Sequence, residues 1–260
     1  MKLEFNVQED FDFLKILQGK PFYFFYSPEP SRVVFINGKP AKLGFSQKDG
    51  KLTVNVDRKL SKEEEKIVKE RVAFCLGVNE NMGRFYELCR QDIVLNKLLP
   101  RIKGTRMVSA FSDFEALVGA IVSQNNSFRN YLQTMQKLCA ELNFVPENYL
   151  DQEKLRKLKL GYKAPFIVGL AKIFLSGAIP RELTKIKGVG KYSAALFNIF
   201  QRRDFSGFYW DTLTERILRE HYKVRADNKS GKEEAKKLWG EYSGLAEILL
   251  QKFLNDTVAV

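Results

Sequence analysis

The sequence predicts an α+β chain that is mainly helical, with an antiparallel sheet unit ahead of a larger helical one. Two observations carry this. Up to about Asp57 the apolar residues come in short β-branched and aromatic runs separated by turn signals. Beyond Ser61 the spacing changes to i, i+3, i+4, i+7 over capped stretches. A length of 260 residues with 45% hydrophobic content allows two compact units or one large one and excludes wholesale disorder.

In the first unit, residues 21–26 are a dense aromatic run, 32–36 are β-branched and 52–56 alternate, so all three read as strands. Turns are expected at Asn37-Gly38, across 42–44 and at Asp49-Gly50. Asn37-Gly38 between apolar flanks predicts a tight hairpin, because both residues tolerate positive φ. Ser61-Lys62-Glu63-Glu64 is a capping box. It opens a helix to about Leu76, buried through Ile67, Val68, Val72 and Phe74. Ser112 or Asp113 caps a second helix, with Phe114, Leu117, Val118, Ile121 and Val122 on its apolar face. Further helices are expected at 128–142, 165–175, 192–201, 213–221 and 232–255, with a short turn at 185–190 and a surface loop at 226–234.

Composition narrows the function. Lys and Arg number 43 against 31 Asp and Glu, a net charge of +12, which points to a polyanionic partner, nucleic acid first. Cys75, Cys89 and Cys139 form no CxxC pair, so neither a disulfide framework nor a cysteine cluster is expected. His221 is the only histidine, which excludes a multi-histidine metal site. The longest nearly pure apolar run, 116–122, falls far short of the ~18 residues a membrane helix needs. Glu4, Glu9, Asp10 and Asp12 make the N-terminal stretch unlike a signal peptide.

The most informative segment is Leu183-Thr184-Lys185-Ile186-Lys187-Gly188-Val189-Gly190-Lys191-Tyr192-Ser193-Ala194. Two glycines around one valine permit a tight turn into a new helix, whose free N–H groups carry the positive end of its dipole. With no side chain at Gly188 or Gly190 a phosphate can approach the backbone, and Lys187 and Lys191 add charge. Trp210-Asp211-Thr212-Leu213 follows, with Asp211 positioned as a helix N-cap. A helix N-terminus favours a carboxylate and keeps it charged.

This run resembles the helix-hairpin-helix of the DNA glycosylase superfamily that includes the endonuclease-III-like enzymes. In that family the hairpin grips the DNA backbone without reading sequence, and an essential aspartate lies shortly downstream. Asp211 follows Tyr192 by 19 positions, the spacing the family leads one to expect. Ile121-Val122-Ser123-Gln124-Asn125-Asn126 resembles the family segment that inserts a side chain into the duplex beside the extruded nucleotide. By position Asn125 is the wedge and Gln124 its neighbour. Leu158-Lys159-Leu160-Gly161-Tyr162-Lys163-Ala164 resembles the family's Leu-Gly-Tyr/Phe-x-Ala turn between helices. Gln18-Gly19-Lys20-Pro21-Phe22 resembles the start of the extra sheet domain shared by the alkyladenine and 8-oxoguanine branches.

The resemblance implies Asp211 as the catalytic residue, DNA contacts at Gln124, Asn125, Lys187, Gly188, Gly190, Lys191 and Ser193, and a base pocket at Tyr192, Tyr209 and Trp210. Residues 22–26 are expected to reach this pocket from the sheet unit. Strand-cleaving branches carry a lysine at the position of Tyr192, whose amine forms a Schiff base; a phenol forms no imine. Lys191 lies about 100° away around the helix and is expected to face phosphate. A base-removing enzyme of the 3-methyladenine type is therefore the expectation, acting on damaged, alkylated bases that are flipped from double-stranded DNA. An 8-oxoguanine-type glycosylase with strand cleavage and a non-catalytic helix-hairpin-helix DNA-binding protein are the alternatives. No iron–sulfur cluster or other cofactor is expected, with a monovalent cation at the hairpin left open. The chain is expected to be monomeric, independent of membranes and, in a prokaryote, cytoplasmic and nucleoid-associated. Its expected divisions are a sheet domain with a flanking helix at 1–85, one helical lobe from 86–110 and 205–260, and a second lobe at 111–204 ending in the hairpin.

Overall fold

Alternation of buried and more exposed positions along the strands builds the sheet. In the computed structural model, which describes residues 1–227 and 229–255, four antiparallel strands are ordered β1-β4-β3-β2: β1 (Lys2–Asn6), β2 (Ser31–Ile36), β3 (Lys39–Lys48) and β4 (Lys51–Val56). Ile36 pairs with Lys39 across the hairpin at Asn37 (φ 51°) and Gly38 (φ 75°), and Lys48 with Lys51 across Asp49 (φ 51°) and Gly50 (φ 70°). Leu3, Phe5, Val34, Ile36, Leu43, Phe45, Leu52 and Val54 point to one face, which α2 (Lys62–Leu76) and the preceding α1 (Phe13–Gln18) cover. On α2, Val68, Val72, Cys75 and Leu76 are buried, while Ile67 and Phe74 are half-buried at the margin. Ser61 forms the expected capping box with Glu64.

The helical part follows as α3 (Gly83–Gln91), α4 (Leu95–Ile102), α5 (Asp113–Ser123), α6 (Phe128–Leu142), α7 (Gln152–Leu155), α8 (Ala164–Ser176), α9 (Lys191–Gln201), α10 (Thr212–His221), α11 (Ser230–Trp239) and α12 (Ser243–Asn255). Ser112 caps α5, accepting from the Glu115 N–H. From Phe114 to Val122 every residue of α5 is buried, so this helix runs through the core with α6, α8 and α9 around it.

Four expectations are corrected. Residues 21–26 do not form a strand. Phe24 sits at φ 71°, and the run divides its side chains between two cores: Tyr23 and Tyr26 enter the helical one, Phe24 and Phe25 the sheet. Its aromatic density reflects burial on both sides, not pairing. Residues 42–44 do not turn; Leu43 and Gly44 are in register with Arg32 and Ser31 on one side and Val56 and Asn55 on the other. The helix expected at 232–255 is interrupted at Gly240 (φ 53°), a conformation L side chains rarely adopt, and becomes α11 and α12. The loop expected at 226–234 gives way to α11 at Ser230, because the Asp227 carboxylate accepts from the backbone N–H groups of Lys229 (2.9 Å) and Ser230 (2.7 Å). Asn228 of that segment, and residues 256–260 of the lobe expected at 205–260, lie outside the described residues. Among the described residues no helix is long and apolar enough to cross a membrane.

Candidate active site

The hairpin is built on two buried anchors. Ile186 and Val189 are 2% and 3% exposed, and their burial presses the intervening turn against the core. Gly188 is required by the fold itself: its φ is 91°, and a Cβ there would lie 2.6 Å from the Phe166 side chain. Gly190 has ordinary extended backbone, and a Cβ there would meet nothing within 4 Å. The first backbone bond of α9 runs from the Ala194 N–H to the Gly190 carbonyl (3.0 Å), so the amides of Lys191, Tyr192 and Ser193 precede the helix ladder. Lys187 and Lys191 are exposed beside them.

The end of α5 is fastened to this hairpin. Gln124 Nε2 donates to the Gly188 carbonyl (2.8 Å) and to Ser193 Oγ (2.7 Å). Ser193 Oγ in turn donates to the Ala120 carbonyl (3.1 Å), so the Gln124 and Ser193 side chains, both expected at DNA, are engaged inside the protein. Asn125 is exposed, with φ 47°, and stands out from the loop. Beneath it Lys163, 7% exposed, donates to the carbonyls of Val122 (2.8 Å) and Gln124 (2.5 Å). A cation at a helix C-terminus satisfies carbonyls that have no partner within the helix. Burial depresses the Lys163 pKa.

Asp211 is the N-cap of α10, and its Oδ1 accepts from the Thr214 N–H (2.7 Å). Gln251 Nε2, on α12, lies 3.2 and 3.3 Å from the two carboxylate oxygens. The carboxylate is half-buried. Tyr192 and Tyr209 meet edge to face, their ring centroids 5.1 Å apart. Burial pushes the Tyr192 phenol up to about 12, with the neighbouring Asp211 charge acting in the same direction against a hydrogen bond with Ser123. Tyr192 therefore stands between the α5 terminus and Asp211 as a neutral hydroxyl. Contacts thus link Gln124 to the hairpin, and Tyr192 to Tyr209 and the Asp211 charge.

Trp210 is directed elsewhere. Its six-membered ring lies so close over Gly231 of α11 that a Cβ there would sit 1.8 Å from Cζ3, so that face is committed to packing. Residues 22–26 contribute mostly core. Tyr23 donates to the Ala116 carbonyl (2.9 Å) and Tyr26 to Glu115 (2.5 Å), while half-buried Phe22 stacks on Tyr131 (4.2 Å) and Phe200 (5.2 Å). Among the described residues no group of three or more His, Cys, Asp or Glu could hold a metal ion.

Residues 118–242 match the family model of the HhH-GPD superfamily base excision DNA repair proteins. The HhH-GPD match takes in Gln124, the hairpin, Tyr192 and Asp211, and it ends before Gln251. No curated protein sequence matches the chain. Among solved structures it is similar to the 3-methyladenine DNA glycosylase from Archaeoglobus fulgidus, with a TM-score of 0.77 at 18% identity over 98% of each chain. It is similar to the Clostridium acetobutylicum 8-oxoguanine glycosylase/lyase in complex with double-stranded DNA containing cytosine opposite 8-oxoG, with a TM-score of 0.76 at 16% identity over 99% of this chain and 98% of that one. MBOgg1 in complex with a low-affinity DNA ligand aligns with a TM-score of 0.77 at 19% identity over 99% of this chain and 96% of that one. These likenesses are of fold, and they take in the N-terminal sheet as well as the HhH-GPD helices.

Sequence reasoning missed the partners of Asp211. Thr214, Glu247 and Gln251 surround it, and Glu247 is 2% exposed among Leu245, Ala246, Leu249 and Leu250 of α12. A glutamate on the apolar face of an otherwise hydrophobic helix was the available signal.

Proposed function

We propose that this base excision repair protein is a monofunctional DNA glycosylase, which hydrolyses the N-glycosidic bond of an alkylated, 3-methyladenine-like base flipped out of duplex DNA. The observation that carries this reading is the pairing of Asp211 at the N-terminus of α10 with a phenol, not an amine, at position 192. Overall similarity does not separate the lesion classes, since a 3-methyladenine glycosylase and an 8-oxoguanine glycosylase/lyase align with TM-scores of 0.77 and 0.76.

In the proposed mechanism the amides that precede the α9 ladder, with Lys187 and Lys191, hold one phosphate of the damaged strand. Asn125 enters the stack where the lesion has left it. The edge-to-face pair of Tyr192 and Tyr209 offers aromatic surface to the extruded base, and a cationic N-alkylated purine gains from such contact. As the glycosidic bond lengthens, positive charge grows on the sugar; the Asp211 carboxylate stabilises it and orients the attacking water. No lysine stands at position 192 to trap the sugar as an imine.

A panel of duplexes, each with one defined lesion, tests this reading. Alkylated purines should be released and abasic DNA left intact, with strand breaks appearing only after alkali or heat. Borohydride should trap no protein–DNA adduct. A trapped adduct with the unmodified protein would move the 8-oxoguanine glycosylase/lyase reading ahead, with Lys191 the first candidate amine.

A further inference from the structure

Behind Asp211 lies a buried polar chain that the excision step as described does not use. Gln251 Nε2 has two hydrogens. One faces the Asp211 oxygens at 3.2 and 3.3 Å, and the other points to Thr214 Oγ1 at 2.8 Å. The amide is held from its other end as well, since Gln251 Oε1 accepts from the Tyr209 hydroxyl (3.0 Å). Thr214 Oγ1 then donates to Glu247 Oε1 (2.5 Å), and Glu247 Oε2 lies 3.4 Å from the Tyr209 N–H. Each group fixes the next, so the amide cannot rotate without giving up two bonds.

We propose that Gln251 is a positioning residue for Asp211, setting the direction of its carboxylate for the excision step. The inference rests on the glycosylase reading above and adds to it a residue outside the matched domain. An N-cap bond from Thr214 restrains only one oxygen and leaves rotation about the Cβ–Cγ bond; the Gln251 N–H placed between both oxygens removes it. A neutral amide does this without cancelling the charge, which a lysine or arginine in its place would do. Preorganised charge is worth more than charge that must turn toward the reacting centre. Glu247, whose carboxyl pKa is raised by burial and by the nearby Asp211 charge, anchors the far end of the chain.

A purely structural role, tying α10 to α12, would make substitutions at Gln251 matter for stability alone. The test therefore uses Gln251→Leu and the isosteric Gln251→Glu, with single-turnover excision followed across pH, duplex affinity, and melting temperature to show the fold is intact. Gln251→Leu should lower the excision rate about 10- to 100-fold at every pH with duplex affinity unchanged. Gln251→Glu should be rescued in mildly acidic solution, where a protonated carboxyl donates to Asp211. It should fail as pH rises and two adjacent carboxylates repel. Wild-type rates in both variants, or an equal loss in both at every pH, would overturn the positioning role and leave the glycosylase reading standing. A wild type that excises no lesion would overturn the glycosylase reading and this inference with it.

Discussion

At the scale of single residues, Asp211 does two jobs that one substitution separates. Asparagine keeps the capping acceptor for the Thr214 N–H but has no charge. Asp211→Asn should therefore melt close to the wild type while losing roughly 10²-fold or more in single-turnover excision. Glu247 predicts a signature in stability. Burial raises its pKa well above the ordinary 4.5, so the folded chain binds this proton more tightly than the unfolded chain does. That contribution is complete below the unfolded value and is lost as pH rises toward the folded one. Glu247→Gln has no such proton, so the melting temperature of the wild type relative to the variant should fall as pH rises above the ordinary carboxyl range. A difference that stays level would contradict a raised Glu247 pKa. Asp211, Tyr192 and Gly190 were legible in the sequence because their types and spacing follow a motif. Gln251 was not, since a polar network across helices distant in sequence leaves no local pattern, and Glu247 offered only its place on the apolar face of α12.

Among the elements, the hairpin is where sequence and structure differ most usefully. Gly188 and Gly190 look equivalent as letters, yet only Gly188 has the positive φ and the close neighbour Phe166. Gly190→Asp should therefore leave the melting temperature nearly unchanged and weaken binding to every duplex alike, whereas Gly188→Asp should destabilise the fold before DNA is added. Melting curves beside duplex titrations in both variants check this. Loss of stability in Gly190→Asp comparable to that in Gly188→Asp would mean that neither glycine is reserved for an incoming phosphate. Helices α2, α5 and α10 were readable because their caps and apolar periods agree, and α6, α8 and α9 from their apolar spacing. Residues 21–26 misled because alternation cannot be seen where both faces are buried. The break at Gly240 was hidden by apolar positions that continue on either side of it.

Across the whole molecule, the sheet and the helices are joined by a buried ion pair. Arg32 of β2 donates to both oxygens of Glu115 on α5 (3.1 and 2.9 Å), and the side chains are 3% and 1% exposed. The Phe24 carbonyl takes a further Arg32 N–H (2.7 Å), and the Phe111 N–H donates to Glu115 (3.1 Å). Glu115→Ala strands the guanidinium and should cost about 3–5 kcal/mol in denaturant unfolding. A loss within the range of an exposed pair, about 1 kcal/mol or less, would show that the junction carries no such load. In mechanical terms α5 is a beam built into a wall. Its root, at Glu115 and Ala116, is gripped by Arg32, Tyr23 and Tyr26, and its far end, nine residues on from Glu115 and about 14 Å away, carries Gln124 and Asn125. A beam held at both ends yields under a load only as far as each support allows, and the hairpin and Lys163 hold the end opposite the root. Far from the proposed point of DNA contact, the sheet is then the masonry against which Asn125 would push.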